Sequence, residues 1–303
     1  MGQHDLSGFW IPARLPAQAS GITPFAVRAC LAVMAAILAL PCDAQSVAKP
    51  SLVSANLCAD QLVLALADRD QIRSLSPFAD DANISFLAAR AKGLPTNSGA
   101  AEELIRLSAD LVLVGRYDNR LTKEFLADKG RPVAIVDSWV GLGETKSEIE
   151  ALAARFGAPE RGVALNADID RAMRRIEDLR AARQNHPSFL ILHRRGFVLH
   201  AGLAADIAVR AGLRNAAVDA GLAASGFADV ERVVTARPDY LIVARVTDRP
   251  EDQGEALLEH PALRHLYPDE RRLVVPDALT ICPGPAIPAL IDRLADEIAA
   301  KVR

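Results

Sequence analysis

Aromatic residues are scarce, 5% of 303 positions, and neither sign of charge prevails: 35 Lys and Arg against 38 Asp and Glu leave a net charge of −3. Without a basic excess there is no electrostatic footprint for a nucleic-acid backbone, and that class of partner is set aside. Histidine is absent between His4 and His186. The first half of the chain therefore lacks the histidine donors that a bare zinc or manganese ion favours. There is no Gly-x-Ser-x-Gly elbow, phosphate loop, dinucleotide glycine fingerprint or His-Glu-x-x-His, and Gly141-Leu142-Gly143-Glu144 is a lone Gly-x-Gly. An enzyme stands only as an alternative without a motif behind it. Low-complexity segments are also missing, and half of the residues are hydrophobic, enough for one large or two medium globular cores.

The apolar run Ala29–Leu40 is too short to span a bilayer comfortably. Arg28 precedes it, Pro41 breaks it, and Cys42-Asp43-Ala44 puts small residues at positions −3 and −1 of a cut before Gln45. Residues 1–44 thus read as a secretory signal peptide, and Ala39-Leu40-Pro41 before Cys42 is a poor lipobox. Residues 1–26 are long and weakly basic for such a leader, which suggests a translation start near Val27. Export leaves two cysteines in the mature chain, Cys58 and Cys282, in a compartment that permits disulfides. They either form one bridge between the first strand region and the last loop or stand as two half-buried thiols.

One paragraph of the sequence is written twice. EELIRLSADLVLVGR at 102–116 lies over ERVVTARPDYLIVAR at 231–245, with Glu102 over Glu231, Asp110 over Asp239 and Arg116 over Arg245. Each copy reads as a short helix opened by Glu, a turn, and a strand buried on both faces, which is half of a β-α-β unit. The shared charged spacing points to a two-lobed duplication. Strand and helix alternate from Ser51 to Val136, where the chain runs on into Asp137-Ser138-Trp139. From Thr145 the pattern is helix only. Apolar residues recur at spacings of three and four from Leu165 to Leu179, and no Gly or Pro interrupts Val163–His186. A helix of about 25 residues spans ~37 Å, enough to act as a strut between lobes. Pro187-Ser188-Phe189 then restarts the strand pattern as Pro50-Ser51-Leu52 began it. The expected fold is α/β with two lobes, each a small, mainly parallel sheet flanked by helices, at 45–158 and 187–303, joined by a connecting helix at 159–186.

SLVSANLCADQLVLALAD at 51–68, SPFADD at 76–81, the Glu…Asp-Leu-Val-Leu-Val block, the long helix and the TICPGP loop at 280–285 together resemble the periplasmic binding proteins of ABC importers for ferric siderophores, heme and vitamin B12. The resemblance covers nearly all of residues 50–303. It implies a shallow inter-lobe cleft for the ligand and one docking glutamate per lobe for arginines of the membrane permease, here Glu102 and Glu231. It also implies a monomer working with a permease and an ATPase in the periplasm. No cofactor is expected, because the metal chelate is cargo. Ligands of α/β sheets sit at the carboxyl ends of strands. Those positions fall on Asn56, Phe78, Arg116, Tyr117 and Trp139 in the first lobe and on His193, Arg194, Arg195, Arg245 and Thr280 in the second. The arginines suit an anionic ferric chelate and the aromatic rings an apolar face, with a corrinoid or heme ligand as the alternative. His193 reads as a structural or polar contact and not as a metal ligand.

Overall fold

Short apolar runs become parallel strands buried on both faces. The computed structural model describes residues 48–136, 141–199, 202–222, 225–245 and 256–303, and Lys49–Arg303 is one compact unit. The signal-peptide region and Trp139 lie outside the described residues, as does the side chain of Arg195. The first lobe holds β1 (Leu52–Ser54), α1 (Leu57–Leu66), β2 (Ile72–Ser74), α2 (Ala88–Ala91), α3 (Ala101–Arg106), β3 (Leu111–Gly115), α4 (Arg120–Asp128) and β4 (Val133–Val136). Two helices follow, α5 (Leu142–Arg155) and α6 (Pro159–Ala181). The second lobe begins with β5 (Ser188–Leu192), β6 (Phe197–Leu199), α7 (Leu203–Arg210), β7 (Arg214–Asn215), α8 (Ala216–Asp219) and β8 (Ser225–Phe227). It continues with α9 (Val230–Ala236), β9 (Tyr240–Arg245), α10 (Pro261–Leu266), β10 (Arg272–Pro276), α11 (Asp277–Thr280) and α12 (Ile287–Lys301).

The two sheets repeat one topology. The first is parallel in the order β2-β1-β3-β4. In the second, β7, β5, β9 and β10 pair in parallel in the same relative order. Even the register is shared: Leu52 faces Leu111 in one lobe and Phe189 faces Tyr240 in the other, the positions that the sequence repeat superimposes. The second lobe adds an antiparallel extension, β6 on β5 and β8 on β6, which gives that sheet its mixed character.

The repeated aspartate is explained by this register. Asp110 Oδ2 accepts from Ser51 N at 2.8 Å and from Ser51 Oγ at 2.7 Å, and the Asp110 amide donates back to Ser51 Oγ at 3.0 Å. Asp239 repeats the clasp with Ser188: both the Ser188 amide and its hydroxyl donate at 2.7 Å, and Asp239 N donates back at 3.0 Å. Each clasp ties the entry of a central strand to the entry of its neighbour, so this match in the repeat serves the fold. Burial alone would raise the Asp239 carboxyl, but the Ser188 bonds outweigh it and hold the group below its ordinary value. Asp239→Ala is expected to destabilise the protein by about 1–3 kcal/mol at neutral pH, read from the urea midpoint. Because the folded pKa is depressed, this contribution is present above the unfolded value of 3.8 and disappears as pH falls through the folded one.

Between the lobes runs α6, opened by Pro159 at its first turn, where the missing amide is not needed. It buries Asn166, Ile169, Ala172, Met173 and Ile176, packed between α5 and α12. One apolar core consequently runs from Leu52 and Ile149 of the first lobe through Ile169 and Ile176 to Phe189 and Ile291 of the second. A connection packed on two sides leaves little freedom for a wide hinge. The helix stops at Ala181, five residues short of the His186 that its apolar spacing allowed, and Pro187 keeps only His186 itself out of the helical region. The residues just beyond are tied elsewhere: Asn185 Nδ2 donates to Arg303 O at 2.7 Å, and His186 Nδ1 lies 2.9 Å from Gly212 O.

Candidate functional site

In a parallel sheet every strand ends on the same edge, and a covalent bond joins that edge of one lobe to that of the other. Cys58, in the first turn after β1, is bridged to Cys282 after β10, with Cα atoms 5.0 Å apart. The loop carrying Cys282 approaches closely: Gly284 has φ +106°, and a Cβ there would stand 3.0 Å from Leu62 Cδ2. The backbone there favours glycine, and a side chain would crowd Leu62.

At the end of β1, Asn56 caps α1. Its Oδ1 accepts from Ala59 N at 2.9 Å, and its Nδ2 donates to both carboxylate oxygens of Asp118 at 3.1 and 3.0 Å. Asp118 Oδ2 accepts from Gly115 N at 2.6 Å, and a Cβ on Gly115 would fall 2.1 Å from the Asn56 amide nitrogen. Asn56 therefore serves as a local brace that ties the ends of β1 and β3 together. Beyond β3, Arg116 and Tyr117 are exposed. In the second lobe Thr280 ends α11, its hydroxyl donating to Asp277 O at 3.1 Å, and Arg194 is half-buried after β5.

Arg245, the last residue of β9, is paired with Glu259, which also holds Arg264 and lies 3.9 Å from Arg272. Arg272 is buried, and burial with Arg245 and Arg264 nearby pulls its guanidinium below the ordinary value. Its Nε donates to Tyr267 O at 2.6 Å. His193 packs against Phe197 with ring centroids 6.1 Å apart, and Phe197 meets Phe227 edge-on at 5.6 Å. Burial lowers the His193 pKa, so the ring is neutral near pH 7. Among the described residues no group of three or more His, Cys, Asp or Glu could hold a metal ion.

Four aromatic side chains are exposed among the described residues. Phe78 (54% exposed) and Phe86 (37%) lie in the segment after β2, Tyr117 (76%) follows β3, and Phe227 (70%) ends β8. Because β8 is antiparallel to β6, and β6 to β5, Phe227 comes out on the edge where β5 ends. Phe86 and Phe227 were not foreseen from the sequence. Phe227 ends a three-residue strand whose partner lies some thirty positions away, and no local periodicity announces it.

Glu102 and Glu231 are exposed, each in the first turn of the helix that leads into β3 or β9. Gly99, just ahead of α3, sits beside Ala55 O at the end of β1, where an added Cβ would lie 3.8 Å away. Glu102 thus begins its helix near the carboxyl end of β1. It borders a surface groove of about 530 Å³ shared with Leu121, Glu124 and Asp128.

Two α/β lobes of repeated topology joined by one helix packed on both sides are the architecture of two-lobed binding proteins. Residues 52–268 match the family model for periplasmic binding proteins, and the chain belongs to that family. Its members bind solutes for ABC importers, working with permease and ATPase partners, and are not enzymes. Among solved structures, the periplasmic heme-binding protein RhuT from Roseiflexus sp. RS-1 is 25% identical, with a TM-score of 0.64 over 82% of this chain and 99% of that one. A periplasmic heme-binding protein from Pseudomonas aeruginosa is 23% identical, with a TM-score of 0.66 over 83% and 93%. FhuD2 from Staphylococcus aureus is 14% identical, with a TM-score of 0.65 over 84% and 100%. No curated protein sequence matches the chain.

Proposed function

We propose that this protein is the exported solute-binding component of an ABC importer that captures an organic metal chelate at the facing carboxyl edges of its two sheets. The observation that carries the reading is that Phe78 after β2, Tyr117 after β3 and Phe227 at the end of β8 are left exposed on the carboxyl side of their sheets, in a chain with few aromatic residues. Rings left in water at a strand-end edge offer stacking faces to a broad apolar ligand, and exposed Arg116 beside Tyr117 supplies a partner for a carboxylate. A metal tetrapyrrole of the heme type combines both features, and proteins that bind heme are among the structural relatives. The sequence pattern of arginines favoured a ferric siderophore. Engagement of Arg245 by Glu259 weakens that argument for one arginine, and a ferric siderophore is kept as the second reading. His193, neutral and packed on Phe197, is read as a structural contact.

Delivery is proposed to run through Glu102 and Glu231, one exposed carboxylate on each lobe, gripped by basic residues of the permease. Absorbance titration with hemin and with a ferric hydroxamate separates the two cargo readings. The account expects saturable one-to-one hemin binding, weakened by about 1–3 kcal/mol, roughly 5- to 150-fold in Kd, for each of Tyr117→Ala and Phe227→Ala. Unchanged hemin affinity in both variants would remove the aromatic edge from the site.

A further inference from the structure

The segment between β2 and α2 carries two of the exposed rings, and both of its ends are tied to neighbouring residues of one helical turn. Asp60 of α1 holds the start: Ser76 N donates to its Oδ1 at 3.0 Å and Ser76 Oγ to its Oδ2 at 2.5 Å. Ser76 Oγ accepts in turn from the Phe78 amide at 3.3 Å, so the bonds run from the carboxylate to the backbone of an exposed ring. Gln61 holds the other end, its Oε1 accepting from Leu87 N at 2.9 Å and its Nε2 donating to Ser85 Oγ at 2.8 Å. Ser85 Oγ folds the segment on itself by donating to Ala79 O at 2.6 Å. Asp60, Gln61, Ser76 and Ser85 are all buried. In a helix buried on nearly every side, apolar residues would fill these two positions at lower free-energy cost than a carboxylate surrounded only by hydroxyl and amide donors.

We propose that Asp60 and Gln61 are positioning residues for ligand capture: Gln61 anchors the far end of the 76–87 segment, and Asp60 sets how readily its Phe78 end opens. The inference rests on the reading of this edge as the binding site. Burial pushes the Asp60 pKa up to about 6 against the bonds from Ser54 and Ser76, from an ordinary value of 3.8. In an opened segment the carboxyl meets water and titrates nearer that ordinary value. A group with the higher pKa in the closed form holds its proton more tightly there, so protonation favours closure and ionisation favours opening. Opening therefore becomes easier as pH rises from about 4 to about 6 and levels off above. The limit, for full hydration on opening, is on the order of 100-fold.

The elements around Asp60 leave it to act alone. β1 and β3 carry no ionisable side chain. Arg161 of α6 turns to Leu66 O and Asp68 at the far end of α1, while Lys146 and Glu150 of α5 are taken by Asp170 and Asn166. On the segment itself Asp80 is exposed and Asp81 accepts from Asn83.

The test is hydrogen–deuterium exchange of the ligand-free mature protein, read on peptides covering 76–87 between about pH 4.5 and about pH 7 and corrected for intrinsic exchange, alongside hemin titration. The expected result is segment opening that rises on the order of tenfold over this range in the wild type and stays flat in Asp60→Asn, whose amide keeps hydrogen bonds without a charge. Gln61→Leu should exchange faster at every pH while keeping the wild-type pH response. A wild-type pH response in Asp60→Asn, or a flat profile in the wild type, would overturn the proposal. A segment that titrates as expected in a protein that ignores hemin would uphold the clamp and sink the heme reading. Hemin binding with a pH-insensitive segment would do the reverse.

Discussion

Replacing Cys58 and Cys282 together by alanine is expected to lower stability by about 2–4 kcal/mol, a shift of the urea midpoint readily seen in a protein of this size. The bridge closes a loop with a sequence separation of 224, and loop-closure entropy grows with the length enclosed. Its place adds a functional effect. It fastens the first turn after β1 to the loop after β10, at the edge proposed to hold the ligand, so it limits how far that edge can part. The variant should therefore combine lower stability with faster ligand release. Thiol titration of the unfolded, non-reduced mature protein is expected to find no free thiol. Two free thiols, or an unmoved urea midpoint in the double variant, would contradict the account.

Reversing Glu102 and Glu231 together to arginine is expected to abolish uptake while leaving ligand affinity in solution nearly unchanged. Both carboxylates are exposed and make their helix starts favourable by only a few tenths of a kcal/mol, so the fold should tolerate their loss. Against a basic permease surface, like charges at both contacts cost on the order of several kcal/mol. Each single reversal should leave partial uptake, since one lobe still docks. Loss of soluble ligand binding in the double variant would move these residues from the docking surface to the site.

How much could be read from the sequence depended on where each signal resided. The central strands were legible because Leu111–Gly115 and Ser188–Leu192 are buried throughout, and a strand covered on both faces writes a continuous apolar run. The duplication was legible because Asp110 and Asp239 answer to serines that open β1 and β5 in both lobes. What the sequence hid was mostly pairing at a distance. β7 is two residues long and polar, and it exists because β5 offers it an edge. The role of Arg245 turned on Glu259, fourteen positions later and outside any helical spacing. Asp60 and Gln61 are buried under the 76–87 segment that bonds to them, a burial that a helical wheel cannot show.

Native mass spectrometry of the protein recovered from its own periplasm after growth under metal limitation tests the central claim most directly. The account predicts a chain beginning at Gln45 that carries one organic metal chelate, released as a single species when the protein is unfolded. A retained ligand without metal, a bare ion, or an empty protein that still bears residues 1–44 would contradict it.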